Sequence, residues 1–176
     1  MTAPPALSAA QQQAWVAYRE LRLGLDARVA RDLETDSGLS MPDFDVLAAV
    51  RAIAGHGESA GTWLVPIAPD PHPGARTAHC VRVAALADRM GWSRSRLSRQ
   101  LGRMERRGLI ARVPCELDGR GDDVELTEAG ARALADAEPG FLRSVRAHFA
   151  DVLTEQQLVA LTQISATLTH RRPSRS

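Results

Sequence analysis

The fold of this chain is decided by residues 91–130, which read GWSRSRLSRQLGRMERRGLIARVPCELDGRGDDVELTEAG. The opening glycine and tryptophan predict a tight turn after a short helix, VAALADRM (83–90), and Ser93 is typical of a residue that caps the next helix. That next helix continues to about Arg107, because Gly108 favours the left-handed backbone conformation at which helices end. The stretch therefore predicts a helix–turn–helix whose short first helix braces the second.

A two-stranded wing follows. LIARV (109–113) and VEL (124–126) predict strands, and between them lies the polar turn DGRGDD (118–123). A β-ribbon tip with one arginine suits a narrow minor groove, whose negative potential favours an inserted cation. We therefore expect Arg120 to enter the minor groove and Asp118 to hold it through a charge-assisted bond.

The start of the second helix carries the side chains best suited to DNA. Helix N-terminal amides and serine hydroxyls bind phosphate, and arginine bonds guanine in the major groove. We expect the major-groove contacts to come from Ser93, Arg94, Ser95, Arg96, Ser98 and Arg99. For the arginines at 103–107, solvation or phosphate contact is favoured over base contact. Leu97, Leu101 and Met104 recur at helical spacing and should face the core.

Positive charge is concentrated in this region. Residues 81–112 contain nine arginines against Asp88 and Glu105, a net charge of +7, whereas the whole chain has a net charge of +1. The remainder therefore carries −6. All 22 basic residues are arginines, which make forked contacts to phosphate and guanine. A basic block in an acidic chain indicates a nucleic-acid contact face, although a charged block taken alone is usually a solvated helix face.

An N-terminal helical region, 10–54, precedes the basic block. Its apolar residues recur at three- and four-residue steps over 10–34 and predict one long helix, which we expect to break over 35–38. Ser40 and Asp43 then form a capping box that begins a second helix.

The C-terminal region, 131–170, also predicts helices, with a kink or a break at 138–140, and 171–176 form a disordered tail. The apolar stripes of the flanking helices have no partner within a winged-helix region at 81–130, so we expect them to form a dimer interface. The predicted fold is mainly α with a small antiparallel sheet: a winged helix–turn–helix flanked by N- and C-terminal dimerisation helices.

Residues 55–80 are the least regular part of the chain. Four prolines and a glycine within 66–74 exclude a helix there. TWLVPI (62–67) and RTAHCVRV (76–83) have the composition of short strands, so the segment is interpreted as a hairpin with a proline-rich tip.

This insertion also contains candidate metal ligands. They are His56, His72, His79 and Cys80. Their spacing matches no closed zinc site, so we expect neither a metal nor another cofactor. The two cysteines, Cys80 and Cys115, lack CxxC spacing and are interpreted as ordinary thiols, with an oxidant-sensing switch as the open alternative.

The wing tip and the motifs that flank it resemble those of a known family. The D-x-R tip (Asp118, Arg120) followed by LTEAG (126–130) is the most specific part of this resemblance, and SGLSMPDFDVLAAV (37–50) also fits. On these residues the chain resembles the multiple-antibiotic-resistance regulator (MarR) family over nearly its whole length. The resemblance implies a triangular homodimer whose terminal helices interlock and whose winged helices read a pseudo-palindromic DNA site. It also implies release from DNA by a small ligand or an oxidant.

The resemblance implies a ligand site between the first helices and the winged helix. Trp15, Tyr18 and Arg22 share a helix face near it, although dimer or core packing of these side chains is favoured. The family normally needs only a few residues where this chain has 55–80. A surface hairpin is the favoured interpretation of that insertion, and a cover over a pocket, DNA or the other subunit is the alternative.

Taken together, the sequence predicts a cytoplasmic, homodimeric DNA-binding transcriptional regulator, a repressor released by a small molecule. No apolar run is long enough to cross a membrane, and the N-terminus does not read as a secretory signal. Enzyme motifs such as GxGxxG or a nucleophile elbow are lacking, so we expect no catalysis. The alternative is a winged-helix protein-interaction module without specific DNA binding, which only Asp122 and Asp123 in the wing favour. The operator, the sign of regulation and the effector stay open.

Overall fold

The computed structural model describes residues 6–55, 64, 81–114 and 122–170. Its elements are α1 (Ala9–Ser37), α2 (Met41–Ala54), β1 (Val81–Arg82), α3 (Val83–Met90), α4 (Arg94–Arg106), β2 (Ile110–Pro114), β3 (Asp122–Leu126), α5 (Glu128–Val145), a π-helical turn (Arg146–Ala150) and α6 (Glu155–His170). The strands form an antiparallel sheet in the order β1-β3-β2. The predicted fold class, mainly α with a small antiparallel sheet, is confirmed. None of the described helices combines the length and apolarity that a membrane span requires.

The junction between α1 and α2 follows from local hydrogen bonding. The helix breaks at the last residue of the expected range, 35–38, rather than at its first, because α1 continues to Ser37, whose hydroxyl donates to the Leu33 carbonyl at 2.7 Å. Gly38 then ends the helix with φ at 69°. The capping box is confirmed: the Asp43 amide donates to the Ser40 hydroxyl at 3.3 Å, and the Ser40 amide donates to the Asp43 carboxylate at 3.2 Å.

The helix–turn–helix has the predicted boundaries. Gly91 ends α3 in the left-handed conformation, with φ at 64°. The Trp92 amide donates back to the Ala87 carbonyl at 2.9 Å, which closes the turn. Ser93 caps α4 by accepting from the Arg96 amide at 3.3 Å.

Both wing strands are present in the described residues, and β3 lies between β1 and β2. Val81 of β1 is paired with Val124, and Ile110 of β2 is paired with Leu126. The described end of RTAHCVRV therefore pairs with the wing. Its expected hairpin partner, 62–67, lies outside the described residues apart from Leu64.

The chain divides into two compact units, with boundaries between Asp32 and Leu33 and between Pro139 and Gly140. The unit from Leu33 to Pro139 contains the helix–turn–helix, and its core includes the predicted Leu97, Leu101 and Met104, all 0% exposed.

Within this unit, α5 begins against the end of α4. The Thr127 hydroxyl donates to the Gly108 carbonyl at 2.6 Å and accepts from the Gly130 amide at 3.0 Å. A Cβ at Gly130 would lie 1.8 Å from the Leu109 carbonyl oxygen. The LTEAG motif therefore supplies a cap and a glycine where two backbones touch.

The other unit contains the first part of α1, the end of α5, the π-helical turn and α6. Asp32 accepts a 2.7 Å hydrogen bond from the Ser144 hydroxyl, and Nε2 of His148 lies 2.9 Å from the same carboxylate. α5 continues through Pro139, so the predicted break at 138–140 is wrong and only the alternative of a kink stays a prediction. The final helix begins at the expected capping box of Thr154 and Gln157.

Candidate nucleic-acid interface

The start of α4 gathers the predicted major-groove residues on one exposed face. Leu97 and Gln100 are buried on the opposite side of the same two turns. The exposed set is Ser93, Arg94, Ser95, Arg96, Ser98 and Arg99. We call these six residues the α4 face. It carries three guanidinium groups, and α4 has no acidic residue in its first turn to offset them.

One arginine of the α4 face is held over an aromatic ring. The Arg96 guanidinium carbon lies 3.8 Å from the centroid of the Trp92 ring. This cation–π contact limits the orientations that the long side chain can adopt before any ligand arrives. From the sequence, Trp92 was expected only to form part of the turn. A tryptophan four residues before an arginine at a helix start is the signal that indicates the stack.

The wing strand β2 is tied directly to α4. Arg112 donates through Nη2 to the Ser98 carbonyl at 3.0 Å, and its Nε lies 3.6 Å from a Glu105 carboxylate oxygen. The first bond joins the strand to the α4 face at Ser98. Arg112 was counted in the basic block but was not recognised as a structural tie.

Two further arginines, Arg103 on α4 and Arg107 at its C-cap, are bonded within the chain. Arg103 donates to the Gln100 side-chain oxygen. Arg107 donates through Nη1 to the Asp43 carboxylate at 2.6 Å and through Nη2 to the Gly38 carbonyl at 3.2 Å. The protein therefore supplies partners for two guanidinium groups for which solvation or phosphate contact was expected. Because Asp43 and Gly38 are distant in sequence, local patterns do not indicate these bonds.

The predicted tip residues Asp118 and Arg120 lie outside the described residues, as do His56, His72, His79, Cys80 and Cys115. The described backbone brings Asp123 of β3 opposite Arg82 of β1 in the sheet register. Such cross-strand neighbours of opposite charge attract each other. Among the described residues, no group of three or more His, Cys, Asp or Glu is arranged to hold a metal ion.

Of the predicted ligand residues, Trp15 and Tyr18 lie together on α1 with their ring centroids 5.7 Å apart. Both are about half exposed, at 55% and 49%, and Arg22 is exposed one turn further on.

A cavity of about 370 Å³ lies elsewhere, within the unit from Leu33 to Pro139. It is lined by the end of α2, by the end of β3 and by the start of α5, with Arg51 and Glu128 among its polar residues. None of the three predicted ligand residues lines it, and no local pattern in the sequence indicates it.

A helix–turn–helix, a two-stranded wing and an exposed Ser/Arg face at the start of the second helix define a winged-helix protein of the nucleic-acid-binding class. The model of the MarR family matches residues 72–121 of the sequence. The resemblance to the MarR family that the sequence indicated is confirmed by this match and by the similar solved structures described next. The family and the fold are those of transcriptional regulators rather than of enzymes.

Two solved MarR-family transcriptional regulators from Streptomyces coelicolor are similar over nearly their whole length. AbsC is 28% identical, with 94% of this chain and 96% of that chain covered and a TM-score of 0.74. Sco3205, solved in complex with DNA, is 26% identical, with 98% and 95% covered and a TM-score of 0.76. A MarR mutant from E. coli complexed with operator DNA shares the fold at 17% identity, with 88% and 91% covered and a TM-score of 0.67. No curated protein matches the sequence.

Proposed function

We propose that this chain is a DNA-binding transcriptional regulator that acts as a homodimer and represses by occupying its operator until a small molecule releases it. The observation that carries the proposal is the α4 face: six serine and arginine side chains exposed together at the start of the second helix of a helix–turn–helix. Sco3205, which has the same fold and 26% identity, was solved in complex with DNA, and this supports the same ligand class here.

In this proposal the α4 face enters the major groove. The free amides of the first turn of α4 and the serine hydroxyls hold phosphates and fix the position of the helix on the duplex. Arg96, which rests on Trp92, is the candidate for a forked contact to guanine, because its side chain is already restrained. Arg120, steadied by Asp118, is proposed to enter the adjacent minor groove.

Homodimer formation is supported by exposed apolar side chains outside the winged helix. Val16, Leu21 and Leu23 on α1, and Val159, Ile164 and Leu168 on α6, are all 49–65% exposed. Large apolar side chains on a helical surface are typical of an association interface. A twofold dimer would present two α4 faces to a pseudo-palindromic operator, with half-sites one helical turn apart.

The effector is proposed to be a small molecule, with Trp15, Tyr18 and Arg22 as candidate contacts. Two neighbouring aromatic rings and a guanidinium suit an aromatic acid, because the rings stack and the guanidinium pairs with a carboxylate. A thermal-shift screen of such acids, followed by DNA release in fluorescence anisotropy, tests this part. A compound that stabilises the protein and leaves the DNA complex intact counts against ligand-controlled release.

The proposal as a whole is tested by selection of duplexes from a random-sequence pool and by anisotropy titration of the enriched duplex. Wild-type protein should bind the enriched duplex roughly 1,000-fold more tightly than a scrambled one, with a steep salt dependence. Arg96→Ala and Arg120→Ala should each lower the affinity of the protein for the enriched duplex by about tenfold or more. Arg132→Ala on α5 removes the same charge away from the α4 face and serves as the matched control. Equal binding of both duplexes by the wild type would overturn the proposal and favour a protein-interaction module.

A further inference from the structure

Asp43 is a buried carboxylate to which several parts of the unit from Leu33 to Pro139 are bonded. It is 4% exposed and lies three residues after the N-cap of α2. Its oxygens accept from the Ser40 hydroxyl at 2.8 Å, from Nε2 of Gln100 at 2.6 Å and from Nη1 of Arg107 at 2.6 Å. The first donor belongs to the capping box, whereas the other two come from α4 and its C-cap. One carboxylate therefore joins the start of α2 to the second helix of the helix–turn–helix.

Gln100 transmits the effect of this charge along α4. It is 2% exposed and lies on the buried side of the helix, opposite the α4 face. A carboxylate only accepts hydrogen bonds, so the glutamine must turn its amide nitrogen toward Asp43. The amide oxygen then faces Arg103, which donates to it. The charge of Asp43 thus fixes the orientation of Gln100 and, through it, the position of the Arg103 guanidinium.

Arg107 is the second point of attachment. Its guanidinium bridges the Asp43 carboxylate and the Gly38 carbonyl, at 2.6 and 3.2 Å. Gln100 and Arg107 are two turns apart, which is about 10 Å along the helix axis. The apolar contacts of Leu97 and Leu101 hold α4 in the core but are non-directional. Two directional hydrogen bonds, donated by side chains that start about 10 Å apart along the helix and end on one carboxylate, also restrict rotation and sliding of the helix.

We infer that Asp43 is a positioning residue for DNA recognition: through Gln100 and Arg107 it sets the angle at which the α4 face meets the bases. It also neutralises Arg107 and so withholds one arginine from sequence-independent phosphate contact. This inference rests on the proposed function. If Asp43 has this role, removal of its charge should reduce the selectivity of the protein for the enriched duplex rather than DNA binding in general.

The test compares Asp43→Asn with the wild type on the enriched duplex and on a scrambled duplex of the same composition, by anisotropy over a range of salt concentrations. Asparagine keeps a capping side chain for α2 but presents no charge to Arg107. Affinity for the enriched duplex should fall about tenfold, as for the loss of one base contact. Affinity for the scrambled duplex should stay level or rise. For that duplex, the slope of the logarithm of the binding constant against the logarithm of the salt concentration should steepen by about 0.9, because Arg107 becomes free to contact a phosphate.

Three measurements separate this role from simple loss of folding. Circular dichroism gives the folded fraction, by which both affinities are corrected; a merely structural defect lowers both by the same factor. Arg107→Met leaves the Ser40–Asp43 capping box intact and should lower affinity for the enriched duplex without steepening the slope. Asp88→Asn removes one negative charge, as Asp43→Asn does, but at an exposed position of α3. This control should leave the ratio of the affinities for the enriched and scrambled duplexes unchanged.

The inference is overturned if Asp43→Asn keeps the wild-type ratio of affinities, or if Arg107→Met has no effect on the enriched duplex. Such a result leaves the proposed function intact, provided that the wild type still discriminates between the duplexes. A wild type that does not discriminate overturns the proposed function itself, and the role of Asp43 falls with it.

Discussion

Gly130→Ala should destabilise the unit from Leu33 to Pro139, although a glycine-to-alanine change inside a helix usually stabilises it by about 1 kcal/mol. The added Cβ would lie 1.8 Å from the Leu109 carbonyl oxygen and 2.8 Å from its carbon, both backbone atoms that cannot rotate away. The two segments must therefore separate by more than about 1 Å to reach van der Waals contact. Overpacking costs roughly 1–3 kcal/mol, and the upper end applies here because only backbone can yield. After subtraction of the gain of about 1 kcal/mol in helix propensity, the net loss should be about 2 kcal/mol.

Urea denaturation followed by far-UV circular dichroism, at one fixed protein concentration, measures this difference. Gly102→Ala is the matched control within the same unit, because the nearest atoms to its Cβ are ends of flexible arginine side chains at 4.0 Å. That variant should be about 0.5–1 kcal/mol more stable than the wild type. If Gly130→Ala is as stable as the wild type, the close approach of α5 to Leu109 is not present in the molecule, and the explanation of the LTEAG motif fails.

Two further predictions follow from single contacts. Trp92→Leu removes the ring under Arg96. Because an exposed cation–π contact contributes about 0.5–1 kcal/mol, this variant should bind the enriched duplex about twofold to fivefold more weakly than the wild type. Trp92→Phe keeps a ring and should be less affected. Equal anisotropy curves for wild type and Trp92→Leu would show that the stack does not contribute. Hydrogen bonds to Asp32, first from the Ser144 hydroxyl and then from His148, hold the pKa of this carboxyl below its usual value. The ionised carboxylate therefore stabilises the fold above a pH of about 4, and this contribution is lost as the pH falls through the lowered pKa. A carboxyl-carbon NMR titration should show the Asp32 pKa rising in Ser144→Ala, and an unchanged titration would contradict this cause.

The sequence predicted the helix–turn–helix well because its signals are local. Ser93, Gly91 and Gly108 set helix ends through caps and left-handed backbone, and these depend on only a few neighbouring residues. The α4 face was equally accessible, since Leu97 and Leu101 fix which side of the helix is buried. The end of α1 was placed three residues too early because Ser37, read as part of a break, instead bonds back to the Leu33 carbonyl.

Features that depend on long-range pairing were not predicted. Val81 pairs with Val124 of the wing across more than forty positions, and the bonds of Asp43 to Gln100 and Arg107 span 57 and 64 positions. No local pattern encodes such contacts, because they arise only when separate elements pack together. The sequence therefore indicates which side chains face outward on α4, but not which groups hold that helix in place.

The central claim, that Arg96 reads guanine from the α4 face, is tested most directly by a double-mutant cycle between protein and DNA. Each guanine of the enriched duplex is replaced in turn by 7-deazaguanine, which lacks the N7 acceptor, and binding is measured for wild type and Arg96→Ala. At one position the two changes should be non-additive by about 1–3 kcal/mol, because each removes the same contact. Additive effects at every guanine would contradict the account.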